Sequence, residues 1–152
     1  MSDSISTLYD LDLFFQCGEF TSHCATAGGF VPDNIIMNPR HAQIRASLLT
    51  DESLEFKYRI NPALDKILAI KYDNQGVNES SFDRNSYVQD FIFFAKKGCF
   101  SFDRTYIIDP FRSEYHLVAY PIFNNMKSSA LPQDLIDHII RFDFDKPMRL
   151  FY

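Results

Sequence analysis

The chain has 152 residues, a formal net charge of -5, and 46% hydrophobic and 16% aromatic residues. This is one domain's length, with enough apolar material to hold a core without disulfides or metal, and its acidity argues against nucleic acid as a direct ligand, because such binders carry a basic stripe. Cys17, Cys24 and Cys99 do not make a disulfide framework, no long apolar run offers a membrane span, and the acidic N-terminus lacks a secretory pattern, so a cytoplasmic protein is expected.

In chain order, Ser4 to Gln16 places Ile5, Leu8, Leu11, Phe14 and Phe15 at spacings near three and four, which predicts an amphipathic helix. Glu19 to Ala27 reads as a second helical piece ended by Gly28-Gly29, since glycine accepts the left-handed conformation past a helix end. Pro32-Asp33-Asn34 is a turn signature. Asn38-Pro39 reads as a cap followed by proline in the first helical turn, opening a helix over Arg40 to Leu49 with Ile44, Leu48 and Leu49 inward. Leu54 to Ile60 alternates, with Leu54, Phe56, Tyr58 and Ile60 on one face, as a half-buried strand does. Asn61-Pro62 repeats the cap and proline. The next stretch, to Tyr72, fits helix or strand and is read as a short turn leading into a strand. Asp73 to Arg84 is polar and reads as a surface loop.

Tyr87 to Ala95 reads as a central strand, with Phe91 and Phe93 on one face and Val88, Ile92 and Phe94 on the other. Lys96-Lys97-Gly98 is a tight turn. Cys99 to Ile108 returns, with Phe100, Phe102 and Tyr106 on one side and Ser101, Asp103 and Thr105 on the other. Arg104 interrupts the apolar row, so its guanidinium is expected to reach solvent or a carboxylate. Glu114 to Tyr120 is a third strand stopped by Pro121. A C-terminal helix follows, with the stripe Leu131, Leu135, Ile136, Ile139 and Ile140, and Met148 to Tyr152 is a last short strand. The expected fold is therefore a single α+β domain over 1–152, with an antiparallel sheet (a meander over about 87–121) packed by the C-terminal helix and by N-terminal helices. Ser81-Phe82-Asp83-Arg84 recurs as Ser101-Phe102-Asp103-Arg104, too short an echo for a repeat.

Chemical motifs are sparse. His23, His41, His116 and His138 lack metal-ligand spacing, and neither a phosphate-binding nor a dinucleotide-binding glycine pattern is present, so no cofactor and no metal site are expected. Arg104 and Arg112 read as ordinary salt-bridge partners. Asp134, Asp137, Asp143 and Asp145 lie among aromatics, and with Tyr115 and Tyr120 they form a candidate partner-binding surface, aromatics anchoring and carboxylates steering. The first expectation is a non-enzymatic protein-binding module, an inhibitor or immunity-type protein neutralising a basic partner such as a toxin nuclease, with no direct nucleic-acid or membrane partner. Small size, acidity and aromatic content are shared with bacterial immunity proteins as a matter of composition. The alternatives are a small hydrolase or transferase using Cys24 with His116 or His41 as base and Asp103 as orienter, and an adaptor or homodimer pairing through a sheet edge.

Overall fold

The structure, a computed structural model, describes residues 11–17, 20–29, 31–50, 55–75, 83–106, 114–122 and 140–141. The elements in order are β1 (Asp12–Cys17), β2 (Phe20–Ala25), α1 (Asp33–Ile36), α2 (Arg40–Thr50), β3 (Lys57–Ile60), α3 (Leu64–Gln75), α4 (Arg84–Lys96), β4 (Cys99–Arg104), β5 (Glu114–Ile122) and β6 (Ile140–Arg141). They build an α+β fold on one mixed sheet of order β1-β2-β4-β5-β3, with β6 also paired to β5. β1 and β2 are antiparallel, β2 and β4 parallel, and β5 antiparallel to β4, β3 and β6. The β2-to-β4 step is a long crossover, as a parallel pair requires. No helix among the described residues is long and apolar enough to cross a membrane.

Each face of the sheet has its own core. Leu13, Phe15, Cys24, Phe100, Phe102, Tyr115, Leu117 and Tyr120 pack on one face with Val31. On the other, Val88, Phe91, Ile92 and Ala95 of α4 meet Leu64 and Leu68 of α3 over Val118 and Ala119. A bulge near Val118, where Ser101 pairs with Ala119 but Phe102 with Leu117, lets two successive residues of β5 join that second core.

Several expected elements change type. The meander over 87–121 is not formed, because residues 84–96 are the helix α4. The spacing Val88, Phe91, Ile92, Ala95 makes one helical stripe and exposes Phe93 (42%), which a two-sided strand would bury. Asp83 caps the helix, accepting from the backbone N–H groups of Asn85 and Ser86. Residues 64–75 are helical rather than extended, started by Asn61, whose side chain accepts from Ala63 N–H and donates to Leu117 O. Residues 12–17 and 20–25 are strands rather than helices. Ile140 and Arg141 form a strand with β5 rather than a helix end, and Pro121 lies inside β5, opposite Tyr58. The α2 helix forms as expected, with Ile44 buried and Asn38 accepting from Arg40 N–H, although Leu49 is exposed. The expected helix over 131–139 and the last strand lie outside the described residues.

Arg104 does not reach solvent: it is 1% exposed and donates to the backbone carbonyls of Thr26 and Ala27 at 2.9 and 3.1 Å. Ala27 and Gly28 both have positive φ (46° and 78°), a left-handed pair that turns the loop after β2. Gly29 closes that turn against the guanidinium, where a Cβ would sit 2.6 Å from Arg104 Nε. The side chain cannot yield, because Nε is bonded to Thr26 O. Gly29→Ala is expected to destabilise by about 1–3 kcal/mol through overpacking, seen as a lower urea midpoint at unchanged m.

Candidate functional site

Strand register assembles the site. On the α4-facing side, Asp12 of β1, Ala25 of β2, Asp103 of β4 and His116 of β5 pair in sequence across the sheet as one row. Phe14, His23 and Ser101 form the next row. The α4 helix covers them with Tyr87, Asp90 and Phe91, spaced i, i+3, i+4, and α3 contributes Lys71. Asp12, His23, Ala25, Ala27, Lys71, Tyr87, Asp90, Phe91 and Asp103 line a cleft of about 320 Å³.

Two buried hydrogen-bond chains end in this cleft. In the first, His23 lies 2.7 Å from Asp12 Oδ1 through Nε2 and 2.6 Å from Ser101 Oγ through Nδ1. A carboxylate only accepts, so Nε2 carries a proton, and in the neutral ring Nδ1 accepts from the serine hydroxyl. The bond from His23 holds the Asp12 carboxyl below its ordinary value of 3.8, outweighing the opposing effect of partial burial. His23 also packs against the rings of Phe94 and Phe14.

In the second chain, Asp103 Oδ2 accepts from Lys71 Nζ (2.8 Å) and from Tyr87 Oη (2.6 Å). Tyr87 has spent its proton, so its oxygen accepts from His116 Nε2–H at 3.1 Å, and His116 Nδ1 accepts from the Thr105 hydroxyl at 2.8 Å. Every polar atom of neutral His116 is thus satisfied. Burial, first of all, pushes its pKa down to about 4; the Asp103 charge opposes that shift and Lys71 adds to it. Lys71 also sits 5.3 Å from the Tyr87 ring centre.

The Asp12–His23–Ser101 chain has the residue types of a hydrolytic triad but the wrong orientation in space. Ser101 is fully buried in mid-strand and does not line the cleft, whereas Asp12, with a side chain 41% exposed, is the open end. A nucleophile needs the reverse, with its hydroxyl at the substrate and the carboxylate behind. The cleft offers carboxylates: Asp12, Asp90 and Asp103 against the single ammonium of Lys71.

The expected site residues are dispersed. Tyr115 and Tyr120 are 1% and 6% exposed on the opposite face, with Tyr120 stacked on Phe100, so they are core residues rather than contact anchors. Asp134, Asp137, Asp143 and Asp145 lie outside the described residues, as does Arg112. Cys24 is completely buried beside Leu13 and Phe102, on the face opposite His23 and His116, which is not the setting of a nucleophile. Cys99 is buried too, and burial pushes its thiol up to about 12. His41 lies with Nδ1 at 3.0 Å from Phe14 N and 2.9 Å from Phe14 O, so α2 contacts the sheet at its β1 edge, while β3 ends the sheet on the other side. Asp12, Lys71, Tyr87 and Asp90 were not expected in a site. The one sequence signal pointing here is Ser101-x-Asp103-x-Thr105, a polar row on a strand whose other row is phenylalanine.

Comparison with known protein families, with characterised proteins and with solved structures finds no match for this chain.

Proposed function

We propose that the protein is a non-enzymatic binding module of the inhibitor or immunity type, acting in the cytoplasm on a basic protein partner such as a toxin nuclease. The observation that supports this reading is the acidic cleft, whose open end is a carboxylate held ionised by a buried histidine. A preformed anionic concavity speeds association with a basic partner and fixes its register. The carboxylates Asp134, Asp137, Asp143 and Asp145 belong to the same proposal as a second steering surface.

The test begins with capture of a partner by the tagged full chain from its native lysate, followed by association kinetics at two ionic strengths. The partner is expected to be basic, with association slowing steeply as salt rises. Asp12→Asn combined with Asp90→Asn is expected to lower the association rate about tenfold and to flatten that salt dependence. The Asn set at 134, 137, 143 and 145 is measured beside it. No stoichiometric partner, or association rates unchanged in both sets of variants, would sink the proposal.

A further inference from the structure

The cleft is built to a narrower specification than general acidity. Asp12 and Asp103 stand in one row of the sheet with only Ala25 between them. Two strand spacings separate their Cα atoms by about 10 Å, and the alanine methyl leaves that interval unfilled. Asp103 is 5% exposed, and its Oδ2 already accepts two bonds. Its Oδ1 has no donor among the described residues. Nor is it one of the sealed polar atoms lacking a partner, which among the described residues are Ser22 Oγ and His41 Nε2. Asp103 is itself one of the residues lining the cleft. Asp12 has one oxygen engaged by His23, leaving its second for a ligand. Tyr87 and Phe91 give the cleft two aromatic side chains, with ring centres 5.4 Å apart and planes tilted by 47°; Lys71 Nζ lies over the Tyr87 ring, and Asp90 stands on the same helical face.

From this geometry we infer that the cleft is a seat for one guanidinium group, the side chain of an arginine presented by the partner. The inference rests on the reading of the protein as a binding module for its source of arginine. A planar fork of N–H donors reaches acceptors on two sides of a slot, and its flat face packs on an aromatic ring. An ammonium is a compact, strongly hydrated point charge that does neither as well, and one ammonium, Lys71, is already in place. The volume, at the low end of the range of about 300–1,000 Å³ for ligand pockets, admits one side chain rather than a polymer.

The test uses the full chain labelled with ¹⁵N and three small probes: N-acetyl-arginine N-methylamide, its lysine counterpart and its uncharged citrulline counterpart. The arginine probe is expected to move the amide signals of Ala25, Ala27, Tyr87 and Phe91 saturably in the millimolar range. The lysine probe is expected to bind several-fold more weakly and citrulline not at all. Asp90→Asn, at an exposed helical position that leaves the buried networks intact, is expected to weaken the arginine probe about threefold. Asp12→Asn is expected to weaken it further. Absence of saturation by arginine, equal effects of citrulline, or a preference for lysine would overturn the inference. The assay contains no partner, so the two readings fail separately. A basic partner with no probe binding rejects the seat alone, and probe binding with no partner rejects the protein-binding reading alone.

Discussion

Asp103→Ala is expected to lower stability by about 3–5 kcal/mol, the usual cost of removing one member of a buried ion pair. For a chain of this length the melting temperature falls by roughly 10 °C. Asp103 Oδ2 accepts from both Tyr87 Oη and Lys71 Nζ. Its loss takes the paired carboxylate away from an ammonium whose side chain is 14% exposed. It also releases the tyrosine hydroxyl that receives the proton of His116 Nε2. The bond of Lys71 to Arg104 O, at 3.3 Å, is made to a neutral carbonyl and is long. A double-mutant cycle separates these effects: Lys71→Met combined with Asp103→Leu is expected to recover much of the loss, because removing both charges leaves no stranded ion. Thermal or urea unfolding of the four proteins checks this, and losses that simply add would show the pair to be uncoupled.

The second large effect is a pH dependence of stability carried by His116. Its folded pKa of about 4 lies below the ordinary 6.5, because desolvation disfavours the charged ring. Between those values the unfolded chain binds a proton that the folded chain does not. Stability is therefore full above pH 6.5, falls as pH drops, and has lost this contribution by about pH 4. The interval corresponds to roughly 3 kcal/mol. His116→Gln keeps a donor for Tyr87 and does not titrate. Relative to wild type, this variant is expected to gain about 3 kcal/mol between pH 7 and pH 4 in urea titrations. Parallel pH profiles would refute the assignment. Asp12 acts in a separate, lower window: its carboxyl is held below 3.8, so its contribution is lost only as pH falls through that lowered value.

Local chemistry in the sequence marks some elements well. Asn38 and Asn61 do cap α2 and α3, Gly98 does take a positive φ of 97°, and the alternation of Phe100 and Phe102 against Ser101 and Asp103 is the alternation of β4. The recurring Ser-Phe-Asp-Arg tetrapeptide shows the limit of such reading. In the first copy Asp83 is an exposed helix cap; in the second Asp103 is a buried ion-pair acceptor and Arg104 a buried clamp on two carbonyls. The same Asp-Arg pair takes two different structures, because burial and neighbouring strands decide which hydrogen bonds it completes.

The segments misread from sequence are those apolar on more than one side. Residues 87–95 satisfy a strand buried on both faces and a helix buried on one, and 12–15 satisfy both patterns in reverse. Periodicity cannot separate them. The cleft was less legible still. Its residues come from β1, β2, β4, α3 and α4, and only the strand register puts Asp12, Ala25 and Asp103 in a single row.

By itself the sequence determined the α+β class, the main caps and turns, and an acidic balance of charge. Tertiary structure decided which apolar runs became helices, and it turned Tyr115, Tyr120 and Cys24 from candidate working residues into core. The physical reason is that composition and spacing act along the chain, whereas a site made of carboxylates around a buried histidine exists only where strand pairing brings distant residues to one face and a covering helix withdraws them from water.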